Sequence, residues 1–444
     1  MTRPPTPISR EPEGLAARDV AVHLLVAVLD RGQPLDAVLE ADRASAGLAP
    51  RDRALARAIV GTTLRRLGTI DAILDRLIER RPRKAGILLR VLEVAAAQLL
   101  FMGVADHAAV SLALAQLEAD HDARHFKALA NAVLRRIARE RAPLLAAVEK
   151  PESDTPPWLW TRWVAAYGED TAVAVAAAHR REPSLDVSVK ADPALWAERL
   201  GGAVLPTGSV RVGAAGDVVA LPGFDTGDWW VQDAAAALPA RLLGDVAGLG
   251  VADLCAAPGG KTAELAAAGA RVTAVDISAN RIARLNQNLA RLGLAAETVA
   301  ANVLQWQPRE LFDAVLLDAP CTATGTIRRH PDVAWLKQPE DVATLAGVQA
   351  RMLARAASFL KPGGRLVYCT CSLEPEEGEA QLAAALATLP LVPDPLTAAE
   401  VGGLAEIVRA DGTVRTLPSH LANAADPRLG GLDGFFMMRL RRAA

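Results

Sequence analysis

Two cysteines carry the chemistry that this chain of 444 residues can offer: Cys321, in Asp318-Ala-Pro-Cys321, and Cys371, in Thr370-Cys-Ser372. Each stands where a strand of a nucleotide-binding α/β sheet is expected to end. A thiolate can add to C6 of a pyrimidine, which gives C5 carbanion character and lets it displace an activated methyl group; loss of the C5 proton then ejects the thiolate. One group attacks and a second must finish, so paired cysteines point to C5 methylation of cytosine. A free thiol with a pKa of about 8.5 is only slightly ionised at neutral pH, so a cation or base must lie close to the attacker. Lys261 is the candidate cation if the fold brings it near, with a surface lysine in a helix's first turn as the alternative. Asp318 could hydrogen-bond the ring nitrogen or amino group of the base, or cap a turn.

The elements that must position these groups follow from periodicity. After Asp228, short apolar runs bounded by glycine (251–254, 271–277, 312–317 and 365–369) alternate with helix-length segments. This is the pattern of a doubly wound, mainly parallel sheet, in which ligands sit at the carboxyl ends of strands. The loop Asp253-Leu-Cys-Ala-Ala-Pro-Gly-Gly-Lys-Thr262 follows the first strand and opens a helix. Its adjacent glycines let the backbone pass close to a ligand, and Pro258 fixes the turn. It lacks both the full P-loop and the dinucleotide fingerprint, which disfavours ATP and NAD. Asp276 ends the next strand at the right distance to accept both ribose hydroxyls, or else caps the helix from Ser278. Loop and carboxylate together predict a nucleoside cofactor.

The other two cysteines, Cys255 and Cys369, sit in strand-like runs and read as small apolar fillers without a catalytic role. The chain has 4 cysteines, none before Cys255 and no Cys-x-x-Cys pair, so neither a disulfide framework nor a zinc site is indicated. No histidine or further thiol accompanies Cys369 and Cys371, and no metal is expected. Met1 to Gly14 lacks the apolar stretch of a signal peptide, and no later segment reaches the roughly 20 apolar residues of a membrane span. A cytoplasmic protein in a reducing compartment is expected.

From Ala16 to Arg141, apolar residues recur at three- and four-residue intervals, as in Leu64, Leu67, Ile70, Ile73, Leu74 and Leu77. The spacing predicts an all-helical bundle of six or seven helices. Through Arg141 there are 22 Lys+Arg against 17 Asp+Glu, leaving 27 against 34 for the remainder. This mildly basic front could meet phosphate or be a solvated surface. A proline-bearing linker follows at 149–157, then a Trp- and Ala-rich helix up to Arg181 and short alternating strands such as 185–189. The division expected is 1–145 helical domain, 146–230 linker and small mixed α/β connector, and 231–444 catalytic domain.

Three long motifs make a resemblance specific: Asp253 to Thr262, Asp318-Ala-Pro-Cys-Thr-Ala-Thr-Gly-Thr-Ile-Arg-Arg-His-Pro-Asp332, and Tyr368-Cys-Thr-Cys-Ser372. They look like those of the RNA cytosine-C5 methyltransferases, Rossmann-like enzymes that use S-adenosyl-L-methionine. The resemblance implies that Cys371 attacks and Cys321 assists release; the related DNA enzymes attack from the Pro-Cys position, so both cysteines together favour RNA. It also implies that Cys255, Ala256, Ala257, Pro258, Gly259, Gly260 and Lys261 wrap the methionine part of the cofactor and that Asp276 holds its ribose. Asn302 falls where the family usually has an aspartate near the adenine, and Arg281 and Asp318 complete the candidate cofactor set. Arg328, Arg329, His330 and Asp332 could contact phosphates beside a flipped base, or be solvated loop charges.

At the front, Asp52-Arg-Ala-Leu-Ala56, Gly61-Thr-Thr-Leu-Arg65, Ala97-Gln-Leu-Leu-Phe101, His107-Ala-Ala-Val110 and Asn131-Ala-Val-Leu-Arg-Arg136 resemble the NusB-type RNA-binding helical module. Fused to the catalytic motifs, this narrows the resemblance to the Sun/Fmu, or RsmB, family, whose substrate is small-subunit (16S) ribosomal RNA. Asp433-Gly-Phe-Phe436 is similar to the family's final strand, whereas Asp186-Val-Ser-Val-Lys190 departs from its common Arg-Val-Asn. The expectation is a monomer that methylates cytosine C5 in small-subunit ribosomal RNA, with no membrane partner. Transfer RNA as substrate, and a non-catalytic NusB-like scaffold, are the alternatives.

Overall fold

Apolar residues spaced by three and four build the helical part. In the helix Lys127–Arg139, Ala130, Val133, Leu134 and Ile137 form one buried stripe. Pro50 opens the helix Pro50–Arg65, which buries Ala56, Ile59, Val60 and Leu64. The Asp42 carboxylate starts the short helix Arg43–Gly47 by accepting the amides of Ala44 and Ser45 at 3.1 Å each. The computed structural model describes residues 12–213, 216–423, 425–426 and 429–443. Most of the stretch read as lacking a signal peptide, residues 1–11, lies outside the described residues. No helix among the described residues is long and apolar enough to cross a membrane.

The chain divides into two compact units: residues 1–160 with 330–336, and residues 161–329 with 337–444. In the first, the helices Leu15–Leu25, Pro50–Arg65, Leu67–Leu77, Leu88–Phe101, Asp106–Ala119 and Lys127–Arg139 share one apolar core. The returning segment completes it. Trp335 and Leu336 pack against that core, and the Trp335 indole N–H donates to the Leu64 carbonyl at 2.9 Å.

The second unit holds two sheets. A small antiparallel one comprises β1 (Leu185–Val189), β2 (Gly202–Val204), β3 (Val210–Val212) and β4 (Trp229–Val231), in the order β2-β3-β1-β4. In it Asp186, from the segment that departs from the family pattern, is buried and opposite Arg211, with two hydrogen bonds of 2.7 Å. The large sheet has a parallel part formed by β5 (Gly250–Leu254), β6 (Arg271–Asp276), β7 (Glu297–Ala300), β8 (Phe312–Asp318) and β9 (Leu360–Thr370). Its strand order is β9-β8-β5-β6-β7. β10 (Leu391–Pro393), β11 (Val414–Thr416) and β12 (Phe435–Arg442) add antiparallel strands beside β9, with β12 on it directly. The order reverses at β5, and in sheets of this kind ligands bind at such a reversal, here the carboxyl ends of β5, β6 and β8.

Candidate active site

Register brings the chemistry together. Asp318 ends β8 opposite Cys369 of β9, Cys371 follows β9 directly, and Cys321 lies three residues beyond β8. The sulfurs of Cys321 and Cys371 are 3.4 Å apart. Lys261 enters from the helix Gly260–Ala267 after β5, and its ammonium donates to Asp318 Oδ2 at 2.8 Å. The same Nζ lies 5.3 Å from the centre of the Phe435 ring. All four residues named for catalysis thus share one end of the sheet.

Electrostatics separates their states. Burial alone would lower the Lys261 pKa, but the Asp318 carboxylate, with smaller effects from Cys369 and Cys371, holds it above its ordinary value and keeps it charged. The Cys321 thiol is pushed well above the usual range by its contact with Cys371, by burial and by the carboxylate of Glu377. Cys369 is fully buried in β9, and burial, followed by Asp318, raises its thiol strongly. Cys255 is pushed up to about 12 by burial and the carboxylates of Asp318 and Asp276. Neither of these two suits a nucleophile.

The loop from Cys255 to Lys261 passes over the end of β5. Cys255 adopts φ +61°, unusual for a residue with a side chain, and Gly259 adopts φ +105°. A Cβ on Gly259 would meet Leu285 Cγ at 2.8 Å. The Asn288 amide donates to the Pro258 carbonyl at 3.0 Å and braces the turn. Below it, Asp253 is buried, accepts the Thr262 hydroxyl at 2.5 Å, and is pushed up to about 7 by burial.

Asp276, at the end of β6, does not cap the following helix; Ser278 does, accepting the Arg281 amide at 3.3 Å. The Asp276 carboxylate instead ties the two loops, accepting Ser278 N at 3.0 Å and Ala257 N at 3.2 Å, while the Arg281 guanidinium lies 3.2 Å away. The same guanidinium also donates to Oδ1 at 3.5 Å, so each oxygen has one backbone N–H and the Arg281 cation within reach. Arg281 also donates to the Ala257 carbonyl. Asn302, just past β7, turns its side-chain oxygen onto Leu304 N at 3.0 Å. Ile277, next to Asp276, is 70% exposed at this edge of the sheet. The sequence offered a signal for it, an apolar residue immediately after the strand-ending acid, that motif reading passed over.

Two readings need correction. Arg328, taken as a loop charge open to phosphate or solvent, is 2% exposed and lies 3.0 Å from Asp233 and 3.4 Å from Asp433. Arg329 binds the same two acids, at 3.2 Å to Asp433, and lies 3.6 Å from Asp186. Burial would raise the Asp233 carboxyl, but the guanidinium groups of Arg329 and Arg328 hold it well below the carboxylate range. His330 and Asp332 are likewise engaged, with Asp36 at 3.2 Å and with Leu35 N at 2.9 Å. These residues fasten a loop instead of presenting charge.

Glu377 was missed altogether. It is fully buried behind both cysteines, where it accepts from Thr322 and Ser372, and only the two hydroxyl residues following the cysteines hinted at a shared acceptor.

A parallel sheet reversing at β5, a glycine loop over its end and an acid closing β6 define the class: a Rossmann-like methyltransferase. Residues 242–441 match the family described as 16S rRNA methyltransferase RsmB/F, and residues 15–139 match the NusB family. The ribosomal RNA small subunit methyltransferase B of Sodalis glossinidius is 39% identical over 394 residues, covering 84% of this chain and 89% of that protein. The protein of the same name from Klebsiella pneumoniae is 37% identical over 390 residues, covering 84% and 90%. The chain belongs to the ribosomal RNA small subunit methyltransferase B family. Among solved structures, PH0851 superposes with a TM-score of 0.75 at 23% identity, covering 98% of this chain and all of that one, a likeness of fold. A methyltransferase homologue from Pyrococcus horikoshii gives 0.53 at 27% identity, covering 67% and 97%.

Proposed function

We propose that this protein transfers a methyl group from S-adenosyl-L-methionine to C5 of a cytosine in small-subunit ribosomal RNA, through a covalent bond between Cys371 and C6. The observation that carries the mechanism is the 3.4 Å approach of Cys321 and Cys371 beside the Lys261–Asp318 pair. The donor set suits the cofactor: Asp276 offers acceptors to a ribose diol, exposed Ile277 a flat apolar neighbour for a base, and the turn from Cys255 to Lys261 a backbone cradle. Arg281, Asn302 and Asp318 border the same space. When bound, the cofactor supplies an electrophilic methyl group on a sulfonium sulfur.

This chain's residues do the rest. Cys371 Sγ, as its thiolate, bonds to C6 while Lys261 offsets the negative charge of that thiolate; Asp318 hydrogen-bonds the ring nitrogen or amino group at the pyrimidine edge and, when protonated, draws electrons away from C6. The adduct leaves C5 with the electron pair that would take up the methyl group the bound cofactor would supply. Cys321, as its thiolate, then takes the C5 proton; the C5–H bonding pair re-forms the C5–C6 double bond and expels Cys371 as a thiolate. The base must leave its stack to reach the sheet edge. The three-part division at 145 and 230, a monomeric state, a cytoplasmic location and an RNA-binding role for the helical domain belong to the same reading.

Incubation with methyl-labelled S-adenosyl-L-methionine and, separately, unmodified small-subunit ribosomal RNA or a transfer RNA pool tests it. Label in 5-methylcytosine from ribosomal RNA alone is the expected result; label in transfer RNA overturns the substrate, and none in either favours a scaffold. Cys371→Ala should abolish transfer, whereas Cys321→Ala should retain RNA covalently on Cys371. Full activity of Cys371→Ala would sink the covalent mechanism.

A further inference from the structure

We propose that Glu377 is a positioning residue whose carboxylate sets the spacing of the two catalytic sulfurs by holding the residue that follows each cysteine. Its catalytic consequence rests on the covalent reading above; the geometry stands apart from it. Thr322 follows Cys321, and its amide donates to Glu377 Oε1 at 3.0 Å and Oε2 at 3.2 Å, while its hydroxyl donates to Oε2 as well. Ser372 follows Cys371, and its hydroxyl donates to Oε2 at 2.5 Å. The two hydroxyls are 3.1 Å apart. One carboxylate therefore clamps the Pro-Cys loop to the Thr-Cys-Ser turn, directly behind the sulfur pair.

The clamp is itself anchored. The Gln349 amide donates to Glu377 Oε1 and to the Pro320 carbonyl, both at 2.9 Å, tying the helix Pro339–Ser358 to the same loop. The Glu377 carbonyl accepts the Tyr368 hydroxyl at 2.8 Å and the Thr370 hydroxyl at 3.1 Å, so β9 fixes it from the other side. A carboxylate is the only side chain here that accepts and does not donate through both of its oxygens. Four donors converge on it, which offsets the cost of burying the charge. Burial pushes its pKa up and the hydrogen bonds from Ser372 and Thr322 pull it back. Core packing alone would not demand an acceptor there.

The full-length protein with Glu377→Ala, Glu377→Gln or Ser372→Ala tests the assignment through two readouts. Without RNA, diamide removes the two thiol hydrogens onto its azo nitrogens and leaves a Cys321–Cys371 disulfide, quantified by peptide mass spectrometry. That rate should fall about tenfold or more in Glu377→Ala, and less in the other two, because small displacements of reacting atoms are costly. S-adenosyl-L-methionine binding should stay near wild type, and kcat for RNA methylation should fall with KM for the cofactor unchanged. If Glu377→Ala does not unfold cooperatively, Glu377→Gln and Ser372→Ala decide. A wild-type disulfide rate in the folded variants overturns the proposal whatever their turnover. An active Cys371→Ala enzyme would remove the covalent mechanism yet leave the disulfide rates to judge the clamp.

Discussion

Lys261 reaches from the helix after β5 to the end of β8, where its ammonium meets the Asp318 carboxylate at 2.8 Å. The pair joins the cofactor loop to the cysteine strands. Lys261→Met should lower methyl transfer by about 10²-fold or more, the scale of a lost polar catalytic group. It should also cost about 1–3 kcal/mol of stability by leaving the carboxylate partner unmatched. Transfer assays with thermal unfolding check both, and an active, equally stable variant would mean that the buried pair serves neither transfer nor stability.

Gly259→Ala places a Cβ at φ +105° and 2.8 Å from Leu285 Cγ. Both strain and collision displace the turn that the cofactor would lie against, at a cost of about 1–3 kcal/mol. Calorimetry should show S-adenosyl-L-methionine binding at least about tenfold weaker. Unchanged affinity would mean that the cofactor does not rest on this turn.

Burial pushes Asp253 up to about 7 from an ordinary 3.8, and the Thr262 hydroxyl and the Lys261 ammonium pull it back only in part. A raised folded value means that its contribution to stability is fully present below the unfolded pKa. It is lost as pH rises through about 7. Asp253→Asn should therefore flatten the stability profile between about pH 4 and 7, by at most about 4 kcal/mol. Glu264 is also pushed up to about 7 by burial, so the measurement is the difference between variant and wild type in urea melts at each pH. Parallel profiles would contradict the assignment.

Arg211→Met leaves Asp186 as a buried carboxylate stripped of its two 2.7 Å hydrogen bonds. The small sheet also loses the two links, each 2.8 Å, from Arg211 to the carbonyls of Leu429 and Gly431. Breaking such a pair costs about 3–5 kcal/mol. Denaturant unfolding should show it as a large loss of midpoint, and a shift within error would mean that Arg329 and the Ala234 amide satisfy Asp186.

Much of this arrangement was legible in the chain because it is local. The 3.6-residue stripe in Lys127–Arg139, the apolar runs of β5 to β9 and the turn residues at 258–260 each write their own structure. The cysteines were legible because strand ends of a parallel sheet converge, so two residues 50 apart meet once both strands are placed. Arg328 and Arg329 were misread because their acids come from three distant segments, at 186, 233 and 433, and no local pattern announces that they meet. Glu377 stayed hidden for a related reason. Among the neighbouring acids at 374, 376, 377 and 379 it looks like a solvated cluster, and only the three-dimensional return of Thr322 makes one member an internal acceptor.

The helical unit closes its core with a segment that the ribosome makes long after the rest. Leu35 donates to Asp332 across 297 residues, and Leu64 receives the Trp335 indole across 271. A nascent chain can thread its first helices together early, yet the Leu64 carbonyl and the Leu35 amide wait for their partners until translation has passed residue 336. Completion of the amino-terminal module thus becomes a late checkpoint in biogenesis. Cut away as an isolated fragment, that module would lack the plug that finishes it, and its apolar seam would be the place where aggregation begins.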